Sequence, residues 1–284
     1  MADAVNGLVE RGTPPLGQEY QLSDEEFRLF SELIREKAGI HLSEHKHQLL
    51  RARLSRRLRA LDLCSFEEYY DYLMGHDATG QEMLIMVNCI TTNKTEFFRE
   101  PHHFDFLQEV ARQALIERAR RTGNRQVRIW SAGCASGEEP YSIAISLREA
   151  LGSLFGWEIE ILASDIDTEV LEKAERGIYP LAQVSAIPQA LLHKYFRGGT
   201  GTFQGFVRVC QEIQGLVSFL RINLLDDPWP IQARFDAIFC RNVMIYFHRS
   251  TQKRLVERFA ASLEEGGHLF VGHSESLFGL SDYL

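Results

Sequence analysis

The stretch Trp130-Ser-Ala-Gly-Cys-Ala-Ser-Gly-Glu-Glu-Pro-Tyr-Ser-Ile-Ala144 decides how this chain is read. The run before it, Gln126-Val-Arg-Ile-Trp130, is short and apolar-rich and predicts a buried strand. After it, Tyr141, Ile143, Ala144, Ile145, Leu147, Ala150 and Leu151 fit one apolar face of a helix. Gly133 and Gly137 stand between the two, separated only by small residues. A strand that turns through small residues into a helix brings its backbone close to a ligand. It also aims the helix N-terminal N–H groups at that ligand.

The loop is close to the dinucleotide fingerprint but lacks its third glycine, and it has no phosphate-binding lysine. Nor is it a nucleophile elbow, because Ser136 is not flanked as G-x-S-x-G. Glu138 and Glu139 decide more. Two carboxylates beside a helix N-terminus suit its dipole yet repel a pyrophosphate. A ligand carrying a cation and hydroxyls fits better, and S-adenosylmethionine has both. The plainer reading is a tight turn whose acids only cap the helix.

Working outward, strands and helices alternate. Glu158–Ala163 reads as a strand with Asp165 and Asp167 at its carboxyl end, and Thr168–Arg176 as a helix closed by Gly177. Phe235–Cys240 is a further strand ending in Arg241-Asn242, Gln252–Leu263 a helix, and Gly266–Val271 a strand. This alternation predicts an α/β fold, a doubly wound Rossmann-like sheet with ligands at the carboxyl ends of its strands. Asp165 follows Glu138 by 27 residues, where the acid of a second strand meets ribose hydroxyls. Its other reading is a helix N-cap, a task for which Thr168 is better placed. Between Tyr179 and Leu224 the rhythm breaks. Gly-rich turns flank the strand-like runs Phe206–Val209 and Leu216–Leu220, and both are read as a small antiparallel insertion. An exposed edge there could accept a peptide strand, or the insertion could simply cover the sheet.

Before the sheet, Ser23-Asp-Glu-Glu26 is a capping box opening a helix through Phe27, Phe30 and Ile34 that Gly39 ends. Ser43 is placed to cap the next helix, and Ser65-Phe-Glu-Glu68 is a second box. Residues 21–90 thus read as a small all-helical domain. From His45 to Leu61 it carries six basic residues and no acidic one. On one continuous helix Lys46, Arg53 and Arg57 fall within roughly 40° of one another, with Arg56 beside them. Thr91–Pro101 follows as a junction, either a plain linker or a donor of side chains to a cleft.

Composition narrows the class. The chain has 284 residues, 45% of them hydrophobic, and a net charge of −8. Since the basic run alone contributes +6, the remainder carries −14, which opposes a long polyanion such as nucleic acid. Five scattered cysteines without a C-x-x-C read as reduced thiols, and no signal core or membrane-length run is present, so a cytoplasmic location is expected. No metal site is expected. The pair His102-His103 lacks a ligand spacing, and neighbours on a helix diverge by about 100°. Nothing matches a Ser/His/Asp hydrolase.

Thr91–Arg99, Trp130–Ser142, Ala163-Ser-Asp-Ile-Asp167 and Phe239–Phe247 together closely resemble the CheR family, the chemoreceptor glutamate O-methyltransferases. The resemblance runs from about Leu22 to Ser276. It implies an S-adenosylmethionine-dependent enzyme that leaves S-adenosylhomocysteine. The acceptor is the γ-carboxylate of glutamates on cytoplasmic helices of methyl-accepting chemotaxis receptors. By motif, the family's cofactor contacts fall on Asn93, Thr95, Arg99, Glu138, Asp165, Asn223, Leu224, Arg241 and Asn242. Arg99 and Tyr246 match residues near the transferred methyl, and either Arg99 or Arg241 suits an incoming carboxylate. Lys46, Arg53, Arg56 and Arg57 match the family's receptor-facing basic helix. The insertion matches a subdomain that holds a receptor tail peptide, and a monomer without membrane insertion is implied. The domains then read as a flexible tail over 1–20, a helical domain over 21–90 and a linker with connecting helix over 91–125. A methyltransferase domain spans 126–284, with the insertion at about 180–222. The family closes its sheet with a further strand beyond His273–Ser276, so a truncated end or a different sheet edge is expected here. Two rivals remain: a non-catalytic adenosyl-binding regulator, and a nucleic-acid methyltransferase gripping phosphate with the basic helix.

Overall fold

In the computed structural model, residues 19–152 and 156–279 are described. The expected tail lies outside them except for its last two residues, and so does the chain beyond Gly279. Tyr20, assigned to that tail, is buried and donates its hydroxyl to the Leu63 carbonyl at 3.1 Å. The chain divides into two compact units between Thr91 and Thr92.

The first unit holds α1 (Asp24–Ala38), α2 (His47–Ala60), α3 (Phe66–Gly75) and α4 (Gln81–Ile90). Ser23 and Glu26 form the expected reciprocal box on α1, and Gly39 closes it at φ 72°. Ser43 does not cap α2. A short 3₁₀ turn over Glu44–Lys46 intervenes, and Ser43 makes no side-chain cap bond there. Ser65 does cap α3, but Glu68 reaches back to the N–H of Cys64 rather than to Ser65. Phe30, Leu50, Leu54, Leu58, Phe66 and Tyr69 fill the core of this unit.

The second unit opens with α5 (His102–Phe106) and α6 (Arg112–Thr122). Then β1 (Gln126–Ala132), α7 (Glu138–Ala150), β2 (Glu158–Asp165) and α8 (Thr168–Arg176) follow. The chain continues through β3 (Ile178–Pro180), α9 (Gln189–Tyr195), β4 (Phe196–Gly198), β5 (Phe206–Val209) and α10 (Gln211–Gln214). The described residues then give β6 (Val217–Arg221), β7 (Phe235–Cys240), α11 (Arg249–Ser262) and β8 (Leu263–Val271).

The large sheet runs β6-β2-β1-β7-β8 with every pair parallel. Alternate residues of β1 enter two cores. Val127 and Ile129 pack with Ile143 and Leu147 of α7, while Trp130 and Ala132 pack with Leu255 and Phe259 of α11. Helices therefore cover both faces, as the doubly wound reading requires. Beyond β1 the chain builds outward to β6, then returns to β7 on the other side. The order reverses between β1 and β7, and the loops after those two strands are where a ligand belongs.

The small sheet is antiparallel, in the order β3-β5-β4. It corrects one expectation. Leu216–Leu220 is not part of the insertion: β6 pairs parallel with β2, Ile161 opposite Val217, as the edge of the large sheet.

Candidate active site

Three left-handed residues crowd the loop after β1: Gly133 (φ 94°), Ala135 (φ 46°) and Gly137 (φ 96°). A Cβ on Gly133 would stand 2.3 Å from Cγ2 of Val243, and one on Gly137 2.8 Å from the Cβ of Ala174. Glycine is required at both on grounds of space as well as conformation. Gly133 also puts the loop after β1 directly against the loop after β7. The N–H groups of Gly133 and Cys134 donate to the Ser164 carbonyl at 2.7 and 2.9 Å, and Ala135 N–H donates to Oδ2 of Asp165 at 2.9 Å. The loop is thereby tied to the carboxyl end of β2.

Carboxylates dominate the surroundings. Asp165 is 9% exposed and accepts from Ala135 and, through Oδ1, from Asp167 N–H at 3.0 Å. Glu138, 3% exposed, accepts from the Ser136 hydroxyl at 2.7 Å. Glu139 accepts from Ser131 and from Arg241. Burial pushes all three carboxyls above the ordinary range, against the hydrogen bonds that favour their ionised forms. The N-cap of α8 is Asp167, which accepts from the N–H groups of Glu169 and Val170, and Thr168 is the first helical residue. Asp165 is thus released from capping, and Asn93 donates to Asp167 at 2.7 Å.

The junction is no plain linker. Phe98 and Glu100 both hold positive φ, 54° and 56°, which non-glycine residues adopt at a cost. Phe98 N–H donates to the Ser142 hydroxyl, which donates to the Glu138 carbonyl. Glu100 lies 3.1 Å from Arg241. Arg241, its side chain 2% exposed, also pairs with Glu139 at 3.1 Å and donates to the Arg99 carbonyl. Its guanidinium is committed inside the protein. Arg99 is half-buried and donates to the Lys94 carbonyl at 3.0 Å.

The rings of His102 and His103 lie 4.1 Å apart despite their adjacency, and with Glu100 their ligand atoms fall within 4.8 Å of one another. Arg241 already supplies that cluster with a cation. Burial and Arg241 push His103 down to about 4, which keeps it neutral.

On the loop after β7, Asn242 holds φ 59° and Tyr246 ends a 3₁₀ turn over Met244–Tyr246. After β6, the Asn223 side chain accepts from Leu225 N–H, and the buried Leu224 offers its carbonyl to Trp229 and Arg258, each at 3.1 Å. Sequence reasoning missed Glu100, Ser142 and Glu275. Each acts through a partner far along the chain, and no local pattern marks it.

The basic run fares differently. Lys46 and Arg56 are exposed, with Lys46 on the 3₁₀ turn and off α2. Arg53 donates to the carbonyls of Cys89, Ile90 and Thr91. Arg57 makes a bidentate pair with Glu82 at 2.8 and 2.7 Å. The run itself holds no acid, but Arg53 and Arg57, matched above to the receptor-facing face, are engaged by α4 and its end.

A glycine-bearing loop tied to the end of β2, beside the buried carboxyls of Glu138 and Asp165, fits a cationic, hydroxyl-bearing cofactor. No helix among the described residues is long and apolar enough to cross a membrane. A family model described as "CheR methyltransferase, SAM binding domain" matches residues 93–284, and one described as "CheR methyltransferase, all-alpha domain" matches 25–91. Chemotaxis protein methyltransferase 2 of Pseudomonas aeruginosa is 49% identical over 91% of this chain and 89% of its own length. The chemotaxis protein methyltransferase of Klebsiella aerogenes is 47% identical, over 94% and 88%. That of Escherichia coli is 46% identical, over 90% and 85%. The cofactor is S-adenosylmethionine, and the chain belongs to the CheR methyltransferase family.

Proposed function

We propose that this methyltransferase esterifies the γ-carboxylate of glutamates on the cytoplasmic helices of chemotaxis receptors, acting in the cytoplasm in sensory adaptation. One observation carries the reading: relatives sharing 46–49% identity across about nine-tenths of this chain are named chemotaxis protein methyltransferases. The site chemistry supports it. A glutamate side chain is already ionised at neutral pH, so the acceptor needs no general base. S-adenosylmethionine, when bound, supplies an electrophilic methyl on a sulfonium. What falls to the protein is to bind, orient and exclude water.

Glu138 and Asp165 are buried acceptors for the cofactor's hydroxyls and positive charge. Asn93, Thr95, Asn223, Leu224 and Asn242 complete its contacts, and Arg241 contributes by tying the segments of Arg99 and Glu139 together. Arg99 orients the incoming carboxylate, for which its fork is matched, and Tyr246 flanks the transfer. The exposed Lys46 and Arg56 are the better candidates for contact with an acidic receptor helix. The small sheet offers β3 and β4 as edges for a receptor tail strand.

The test is transfer of labelled methyl to receptor cytoplasmic fragments, followed by base treatment. Base-labile counts on the receptor and none on RNA are expected. Base-stable counts, or counts on RNA alone, would refute the proposal.

A further inference from the structure

The chain leaves β8 at Gly272 and turns through His273 and Ser274, and Glu275 folds back on the turn with its own N–H donating to the Gly272 carbonyl at 2.9 Å. Its carboxylate then gathers three main-chain donors. Oε2 accepts from Gly272 N–H at 2.6 Å and from Asn242 N–H at 2.8 Å, and Oε1 accepts from Ile245 N–H at 3.3 Å. Two of these donors belong to the loop after β7, the segment that carries Asn242 and Tyr246.

A second contact joins the same two loops. A Cβ on Gly272 would stand 2.4 Å from Nδ2 and 3.0 Å from the backbone N of Asn242, so only glycine fits there. On the other side, His273 N–H approaches Oε1 of Glu100 at 3.4 Å, and Glu100 is the partner of Arg241. Asn242 keeps its left-handed backbone, φ 59°, at the point where both contacts converge.

We propose that Glu275 is a positioning residue for methyl transfer. By holding the N–H groups of Asn242 and Ile245, it fixes the direction in which the Asn242 and Tyr246 side chains leave the loop. The inference rests on the proposed roles of Asn242 at the cofactor and Tyr246 at the methyl. An acid is needed here because a carboxylate only accepts. The amide of a glutamine would turn an NH₂ toward one of the three donors. The turn itself follows the last strand and is partly exposed, so weakening it disturbs loop geometry more than the core. A shift of reacting groups by about 1 Å costs on the order of 10²-fold in rate.

The experiment compares Glu275→Gln and Gly272→Ala with the unaltered protein and with the exposed control Ser274→Ala. Single-turnover methylation should fall roughly 10–100-fold in both test variants. Their S-adenosylhomocysteine affinity should fall less, and the control should be unchanged. In Glu275→Gln the amide proton resonances of Asn242, Ile245 and Gly272 should move while those of Ile129 and Phe239 in the sheet stay. Gly272→Ala attacks the same contact with the carboxylate intact, so the inference survives a Glu275→Gln protein that fails to fold. Normal turnover and affinity in both variants, beside a crippled Asn242→Ala, would overturn the positioning role and leave the site standing. Normal turnover in Asn242→Ala and Tyr246→Phe as well would overturn the site reading itself.

Discussion

Arg241 and Glu139 form an ion pair buried from both sides, Nη1 to Oε2 at 3.1 Å, with side chains 2% and 12% exposed. Glu100, 11% exposed, takes the other arm of the same guanidinium at 3.1 Å. Arg241 thus links the loop after β7, the start of α7 and the junction. Breaking a buried pair by removing one partner costs about 3–5 kcal/mol, because the remaining charge has no compensation. Arg241→Met leaves two carboxylates in that state, so the second unit should unfold at markedly lower denaturant or temperature. Adding Glu139→Gln should return part of the loss, a coupling that a double-mutant cycle reads directly. Additive losses would show that the pair is not a unit.

The three carboxyls held above their ordinary range give a pH signature. A carboxyl with a raised folded pKa binds more protons folded than unfolded. Stability therefore falls as pH rises from the unfolded value, about 4, through the folded one. Glu138, Glu139 and Asp165 should each contribute to such a decline in the protein without cofactor. A cationic ligand favours the ionised forms, so S-adenosylmethionine should bind more tightly across that window and release protons as it binds. Calorimetry in buffers of different ionisation enthalpy measures this. Proton release should be smaller for S-adenosylhomocysteine, which lacks the sulfonium. Equal enthalpies in all buffers at mildly acidic pH would contradict the placement of the cofactor's charge beside these acids.

Asp165 serves two ends in this reading, tying Ala135 N–H to the end of β2 and accepting from the ribose. Asp165→Ala should weaken S-adenosylhomocysteine binding by about 1.5–3 kcal/mol, roughly tenfold or more. An unchanged affinity in a folded variant removes Asp165 from the cofactor.

Local patterns made much of this legible. The Ser23–Glu26 box, the Gly39 and Gly177 stops, and the strand–loop–helix around Gly133 all follow from spacings of a few residues, and each element stands where its pattern puts it. What failed was non-local. The apolar run at Leu216–Leu220 says "strand" but not which strand it joins, and the partner turned out to be β2, across the whole insertion. Arg57 and Glu82 lie 25 residues apart, and Arg241 and Glu139 are 102 apart. A charge pattern on one element cannot reveal a partner on another. On sequence the cap of α8 lies between Asp165 and Thr168, yet it belongs to neither but to Asp167, because element ends are fixed only by geometry.

The small sheet invites a direct test of peptide docking. Its central strand β5 is paired on both sides, so a tail peptide can add only at β3 or β4. Titration with receptor tail peptides should shift amide signals along one of those edges, Ile178–Pro180 or Phe196–Gly198, and leave β8 unmoved. If no tail peptide binds at millimolar concentration, the docking role is wrong for this protein.

The basic run separates into two kinds of residue, and the separation predicts two different phenotypes. Arg57 grips Glu82, whose side chain is 6% exposed and also accepts from Tyr69 at 2.8 Å. That pairing raises the Arg57 guanidinium above its ordinary value. Arg57→Ala leaves a buried carboxylate unpaired and should cost the helical unit about 3–5 kcal/mol. A lost receptor activity in that variant would therefore report unfolding rather than docking. Lys46 and Arg56 are exposed and can be reversed without touching the core. Lys46→Glu with Arg56→Glu should leave the melting temperature and cofactor affinity where they are while lowering receptor methylation. The deficit should widen as salt is lowered, because screening of exposed charges then weakens. Normal methylation by that pair at low salt would mean that the exposed part of the run is only a solvated face.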